Sequence, residues 1–139
     1  MANWLFKEEP GTYSFADLQR DGSTTWTGVA NALAQKHLRA VKKGDRVFFY
    51  HTGNEKAVVG VMEVSADPFP DESDETGKRV AVTVKPVRAL NAPVTLAAIK
   101  ADKAFAAWEL VRQARLSVMP VPDDLWAKVE KMGSASGAA

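Results

Sequence analysis

Cysteine is absent from the 139-residue chain, which excludes disulfides, thiolate nucleophiles and zinc-thiolate sites together. Histidine is almost as scarce, with only His37 and His51 present. No Gly-rich phosphate loop, no recognisable Ser/His/Asp arrangement and no spaced set of metal ligands occurs. The expectation is therefore a protein with no cofactor, no metal and no catalytic residue. Excess charge is lacking too: 18 Lys and Arg stand against 17 Asp and Glu. Proteins that coat duplex DNA without selectivity are usually far more basic, so affinity for nucleic acid would have to come from local geometry. Long apolar runs are missing, and none approaches the roughly 20 residues that cross a bilayer. The segment Met1 to Glu9 has no basic stretch followed by an apolar one, so a signal peptide is not expected. A cytoplasmic protein with no membrane partner follows from this.

What is present fits one globular domain, with 46% apolar and 25% charged residues. Residues 1–132 are read as that domain, and 133–139, which carry no large side chain, as a frayed tail. A short strand over Asn3 to Phe6 is broken by Pro10 and Gly11. Ser14 with Asp17 forms a variant capping box for a short helix that buries Phe15 and Leu18 and stops near Gly22. A polar loop, Ser23 to Gly28, holds Trp26. Leu33, Leu38 and Val41 recur at helical spacing, which predicts a second helix from Asn31 to Val41.

Asp45 to His51 and Ala57 to Val64, joined by a turn at Thr52 to Asn54, read as antiparallel neighbours. The acidic segment Ser65 to Lys78 reads as a solvent loop without a site, before a strand from Arg79 to Val87. Thr95 caps a helix through Lys100. A helix from Ala104 to Arg112, a closing strand Leu116 to Val118 and a last helix after Pro122 complete the chain. The class is α+β, with five or six strands and four or five short helices.

Several fragments resemble the EVE domain in order and spacing. They are Trp4-Leu5, Lys7, Glu9-Pro10, Tyr13-Ser14, Asp17-Leu18, Asp21-Gly22, Trp26, Gly28-Val29, Asn31, Leu38-Arg39, Lys42, Gly44-Asp45, Phe49 to His51 and Arg115 to Val121. The resemblance covers nearly the whole chain. It implies a PUA-like fold, a small β-barrel surrounded by short helices, related to the YTH domains that read methylated adenine. It also implies a non-catalytic pocket for a base, a modified one, in DNA or RNA. Ala30 stands where the family motif has Arg, and Thr52 stands where Ser is common.

A pocket that selects a base needs a π surface and polar groups for the base edge. Trp26 is the candidate platform, with a packing lid on the barrel as its alternative. Asn31 offers a donor and an acceptor but sits where it would also cap a helix. Tyr50 and His51 end the strongest strand, so alternation lets one of them line the pocket; a lone His there is more often structural. Lys7 and Glu9, in the family motif, and Arg115 and Ser117, near the closing strand, are further ligand-binding candidates. Lys36, Arg39, Lys42 and Lys43 form a basic stretch suited to phosphate contacts if it shares a face with the pocket mouth. A partner of DNA or RNA carrying a modified base is expected, with a small-molecule or free-nucleotide sensor as the alternative and an enzyme behind both.

Overall fold

The computed structural model describes residues 2–134. Strand β1 (Asn3–Glu8) is followed by helix α1 (Phe15–Asp21), strand β2 (Thr24–Trp26) and helix α2 (Ala32–Ala40). Strands β3 (Arg46–His51), β4 (Ala57–Val64), β5 (Phe69–Pro70) and the 16-residue β6 (Val80–Thr95) come next. Helix α3 (Leu96–Lys100), a 3-10 turn at Lys103–Phe105, helix α4 (Glu109–Arg112), strand β7 (Val118–Pro120) and helix α5 (Asp123–Ser134) complete the order.

The strands lie in the order β2-β6-β4-β3-β1-β7, with the two-residue β5 also paired to β6. Every pairing is antiparallel except β1 with β3. In a flat sheet β2 and β1 would stand four strand spacings apart, roughly 19 Å. Yet the Trp26 ring of β2 lies 5.4 Å from the Phe6 ring of β1, centroid to centroid. The sheet is therefore curled into a half-barrel whose two edges approach each other, and α2 packs against both β6 and β7 across the gap. Register shifts in the β3–β4 and β4–β6 pairings mark bulges, which add local twist to such a sheet.

Alternation along the strands divides the aromatic residues of the core between the two faces of the sheet. On the concave face Phe6, Phe49 and Trp26 meet Phe15 of α1. Phe15 comes so near β4 that a Cβ at Gly60 would lie 2.5 Å from its ring, so only glycine fits there. On the other face Phe48 stacks on Trp126 of α5 at 3.7 Å, and the buried Phe105, Trp108 and Leu110 supply the cover before β7.

The fold bears out the α+β class and the curled strand architecture, and differs from expectation in several details. The polar loop around Trp26 contains β2, because Thr24 to Trp26 pair with Val84 to Val82. The strand expected to end at Val87 continues to Thr95, and its exposed middle explains why alternation alone lost it. The helix expected over Ala104 to Arg112 divides into the 3-10 turn and α4, and the closing strand is shifted to Val118–Pro120. Gly133 and Ser134, assigned to a frayed tail, belong to α5, where Gly133 is buried against Leu90. The rest of that tail, 135–139, lies outside the described residues.

One buried carboxylate fixes the entry into β3. Asp45 accepts the Trp4 indole N–H at 2.9 Å, the Lys42 N–H at 2.9 Å and the Ala2 N–H at 3.2 Å. Each donor would be left without its partner in Asp45→Ala, and hydrogen bonds to a charged group contribute about 1.5–3 kcal/mol apiece at most. The expected loss in a urea melt is about 3 kcal/mol, with little loss in Lys42→Ala, whose backbone donor remains.

Candidate nucleic-acid interface

The end of β1 organises one end of the half-barrel. Because successive strand residues face opposite ways, Glu8 lines a cavity on one side and Lys7 a cavity on the other. The Glu8 cavity, about 220 Å³, is walled by Tyr13, Trp26 and the threonines 24, 25 and 27. The Lys7 cavity, about 210 Å³, also takes in Tyr50 and Thr52. A third and broader cleft, about 450 Å³, lies between Asn31 to Leu33 at the start of α2 and Gln113 to Leu116 before β7. Ala114 borders both this cleft and the Lys7 cavity, and the Lys7 N–H donates to the Ser117 carbonyl at 2.9 Å.

Trp26 is not the solvent-available platform expected from a polar loop. It closes β2, is 6% exposed and is held edge-on by Phe49 and tilted against Phe6, so only a margin of the indole reaches the cavity. Asn31 is exposed, and its side-chain oxygen caps α2 by accepting the Ala34 N–H at 2.9 Å. Its amide NH2 has no protein partner among the hydrogen bonds of the described residues. The segment between these two residues is fastened from both sides. Gly28, at φ 70°, donates its N–H to the Asp71 carboxylate at 2.8 Å, and Gln35 donates to the Val29 carbonyl at 2.8 Å while exchanging hydrogen bonds with Val80.

Asp71 belongs to the segment read from sequence as plain solvent loop. Instead the carboxylate is buried and holds the Gly28 end of the segment between Trp26 and Asn31. The Ser73 hydroxyl and then the Gly28 N–H keep the Asp71 carboxyl below its ordinary value of 3.8.

His51 is buried, and both ring nitrogens are engaged. The Phe15 N–H donates to Nε2 at 3.0 Å, which places the ring proton on Nδ1, 2.7 Å from a Glu55 carboxylate oxygen. The imidazole thus serves the first turn of α1, whose N–H groups lack partners within the helix. Tyr50 lies on the opposite face under the Lys7 ammonium, 5.4 Å from its ring centre. The Lys7 ammonium also donates to the Ala114 carbonyl at 3.0 Å, and burial lowers its pKa. Glu9 is exposed, and its carboxylate accepts from the Thr52 hydroxyl at 3.4 Å. Arg115 is exposed on the broad cleft.

The structure does not bring the expected basic stretch together at these cavities. The nine residues of α2 span about 14 Å, which sets Lys42 and Lys43 at the end opposite Asn31. The Arg39 guanidinium donates to the Lys78 carbonyl at 2.7 Å, and Lys36, exposed, lies little more than one turn from Asn31. Residues that do line the cavities and were missed include Glu8, Tyr13, Lys56 and Lys100. Tyr13, two residues past the turn at Gly11, carried the one aromatic signal that could have been followed.

Two outcomes test this geometry. Asn31→Ala should lose about 1 kcal/mol through the lost cap whereas Asn31→Ser should keep it, so any ligand affinity lost in both variants measures the amide and not the cap. In an acid titration followed by amide NMR, the Gly28 and Ser73 signals should move together with a midpoint below 3.8. The folded pKa lies under the unfolded one, so the anchor is complete above that value and is released as pH falls through the folded pKa.

The model of the EVE domain matches residues 2–132. A protein of Rhodopseudomonas palustris solved by NMR is 41% identical, with a TM-score of 0.91 over 96% of this chain and 93% of that one. Human THYN1, crystallised in complex with 5-methylcytosine-containing DNA, is 28% identical, with a TM-score of 0.89 over 98% of this chain and 99% of that one. Thymocyte nuclear protein 1 of Gallus gallus is 35% identical over 83 residues, which are 51% of this chain and 34% of the chicken protein. The stretch matched is thus about a third of that relative's length. With the family model spanning almost every described residue and the same fold recurring in these structures, the chain belongs to the EVE domain family.

Proposed function

We propose that this chain is a non-catalytic DNA-binding domain that takes one modified base, 5-methylcytosine being the first candidate, into the cavity between Tyr13 and Trp26. The observation that carries the reading is the human THYN1 complex with 5-methylcytosine-containing DNA, at a TM-score of 0.89. The chemistry of the cavity agrees with it. Cytosine presents an exocyclic amine that a carboxylate accepts, and a 5-methyl group that meets threonine methyls well. Glu8 and the threonines 24, 25 and 27 offer both. One Glu8 oxygen already accepts the Glu9 N–H at 2.9 Å, so the carboxylate is oriented before a ligand arrives.

Tyr13, half-buried on the cavity wall, and the margin of Trp26 supply the apolar surface for the base. Asn31 and Arg115 lie on the two walls of the broad cleft and are assigned the flanking nucleotide, with the exposed Lys36 little more than one turn further along α2. Extrusion of a base costs a few kcal/mol, which a rigid receptor offsets better than a mobile one. The three hydrogen-bonded anchors of the Gly28 to Asn31 segment supply that rigidity. A binding role is also favoured by His51, whose two nitrogens are both committed to structure and leave no free base.

Fluorescence anisotropy with matched oligonucleotides, methylated and unmethylated at one cytosine, tests the assignment. The expected result is tighter binding of the methylated strand, with Glu8→Gln removing about 1–3 kcal/mol of discrimination against other bases. Equal affinity for both strands sinks the methyl-reading role, preference for RNA of the same sequence moves the partner to RNA, and equal affinity for a lone nucleoside turns the domain into a small-molecule sensor.

A further inference from the structure

The second cavity at the end of β1 has a composition of its own. Lys7, Lys56 and Lys100 line it together with the Tyr50 ring and Thr52, and no carboxylate does. None of the three lysines forms a salt bridge among the described residues. Two acids stand at its edge: Glu9 accepts from the Thr52 hydroxyl and the Gly11 N–H, and Glu55 bonds His51.

Lys7 is the half-buried member. An ammonium carries three donors, of which one meets the Ala114 carbonyl at 3.0 Å. Burial of such a group without a counter-ion is unfavourable, in keeping with its lowered pKa. Lys56 adds an independent observation. Its φ of 45° makes it the one non-glycine residue in the left-handed region among the described residues, and the Leu96 N–H holds its carbonyl at 2.8 Å. Glycine would adopt that conformation without steric cost; a long cation held there is a local strain of the kind found at ligand sites.

We propose that the Lys7, Lys56 and Lys100 cavity is an anion site for a phosphate group, which in the DNA complex holds the backbone phosphate beside the captured base. The second half rests on the function proposed above; the first does not. A phosphate has a charge and acceptor oxygens to meet three ammonium groups. Position supports the link, because Lys7 and Glu8 are consecutive and project to opposite sides of one strand, and Ala114 joins this cavity to the Asn31 and Arg115 cleft. A strand that delivers a base to Glu8 passes its backbone across the end of β1.

Titration of the full chain with inorganic phosphate, followed by amide NMR, decides the first half. Saturable shifts are expected at Thr52, Gly53, Lys56 and Lys100, and their loss in a Lys56→Gly, Lys100→Gln double variant. That variant should fold, since glycine suits the backbone at 56 and Lys100 is exposed. Absence of shifts at these residues in the parent protein overturns the anion site. For the second half, the double variant should bind methylated and unmethylated oligonucleotides more weakly by the same factor, with the slope of log K against log salt reduced by about 1. An unchanged slope with phosphate shifts intact makes the cavity a site for a free anion and overturns its role on DNA. If the parent protein binds no oligonucleotide, the proposed function and the DNA role fail together, and the phosphate titration still decides the cavity.

Discussion

The contact of Trp26 with Phe6 and Phe49 is the constraint on which the rest of the structure depends. It joins strands that the sheet order places far apart, and so turns a ribbon of hydrogen-bonded strands into a half-barrel with an inside. Two aromatic contacts of this kind contribute about 0.5–1.5 kcal/mol each beyond the area they bury. Their larger effect is geometric. With the indole fixed, the chain leaving β2 has to run along the barrel mouth, and the start of α2 follows from that. The same ring thus belongs to the core on one side and to the cavity wall on the other.

Polar anchors then convert that path into a defined surface. Asp71 takes the Gly28 N–H, Gln35 takes the Val29 carbonyl, and the Asn31 side chain ties the end of the segment to the Ala34 N–H of α2. Buried polar groups of this kind are stable only when their partners are all in place, and Gln35 uses both ends of its amide, one to Val29 and Val80 and the other to the Val80 N–H. The half-barrel supplies the position of the site, and these side chains supply its rigidity.

Local patterns in the chain were enough for the elements whose stabilising interactions are local. The Ser14 and Asp17 capping box forms as read, each side chain accepting the other residue's N–H, and β3 with β4 is the hairpin that its residues announce. Elements that depend on distant partners were not legible. β2 is three residues long and exists because β6 pairs with it; Thr24 to Trp26 suit a strand, but three residues are too few for alternation to show. Asp71 looked like one acid among many because its partner, Gly28, is 43 positions away. The same applies to Lys56, in the loop between β3 and β4, and Lys100, on α3, which meet Lys7 only in three dimensions. The motif fragments fared differently from the roles attached to them: Asp45 and Trp4 form one buried hydrogen bond, and His51 supports the first turn of α1.

The half-barrel also has consequences for its own edges. An incomplete barrel leaves its two end strands paired on one side only, and such edges are templates on which other chains can add. Here those strands are β2 and β7, three residues each, and β7 ends in Pro120, which has no N–H to offer. Helix α2 lies across the space between them. The two ends of the open sheet present ladders too short to recruit a foreign strand, and β6, whose side away from β4 has no strand partner past Val84, carries Pro86 and Pro93, residues that discourage such pairing.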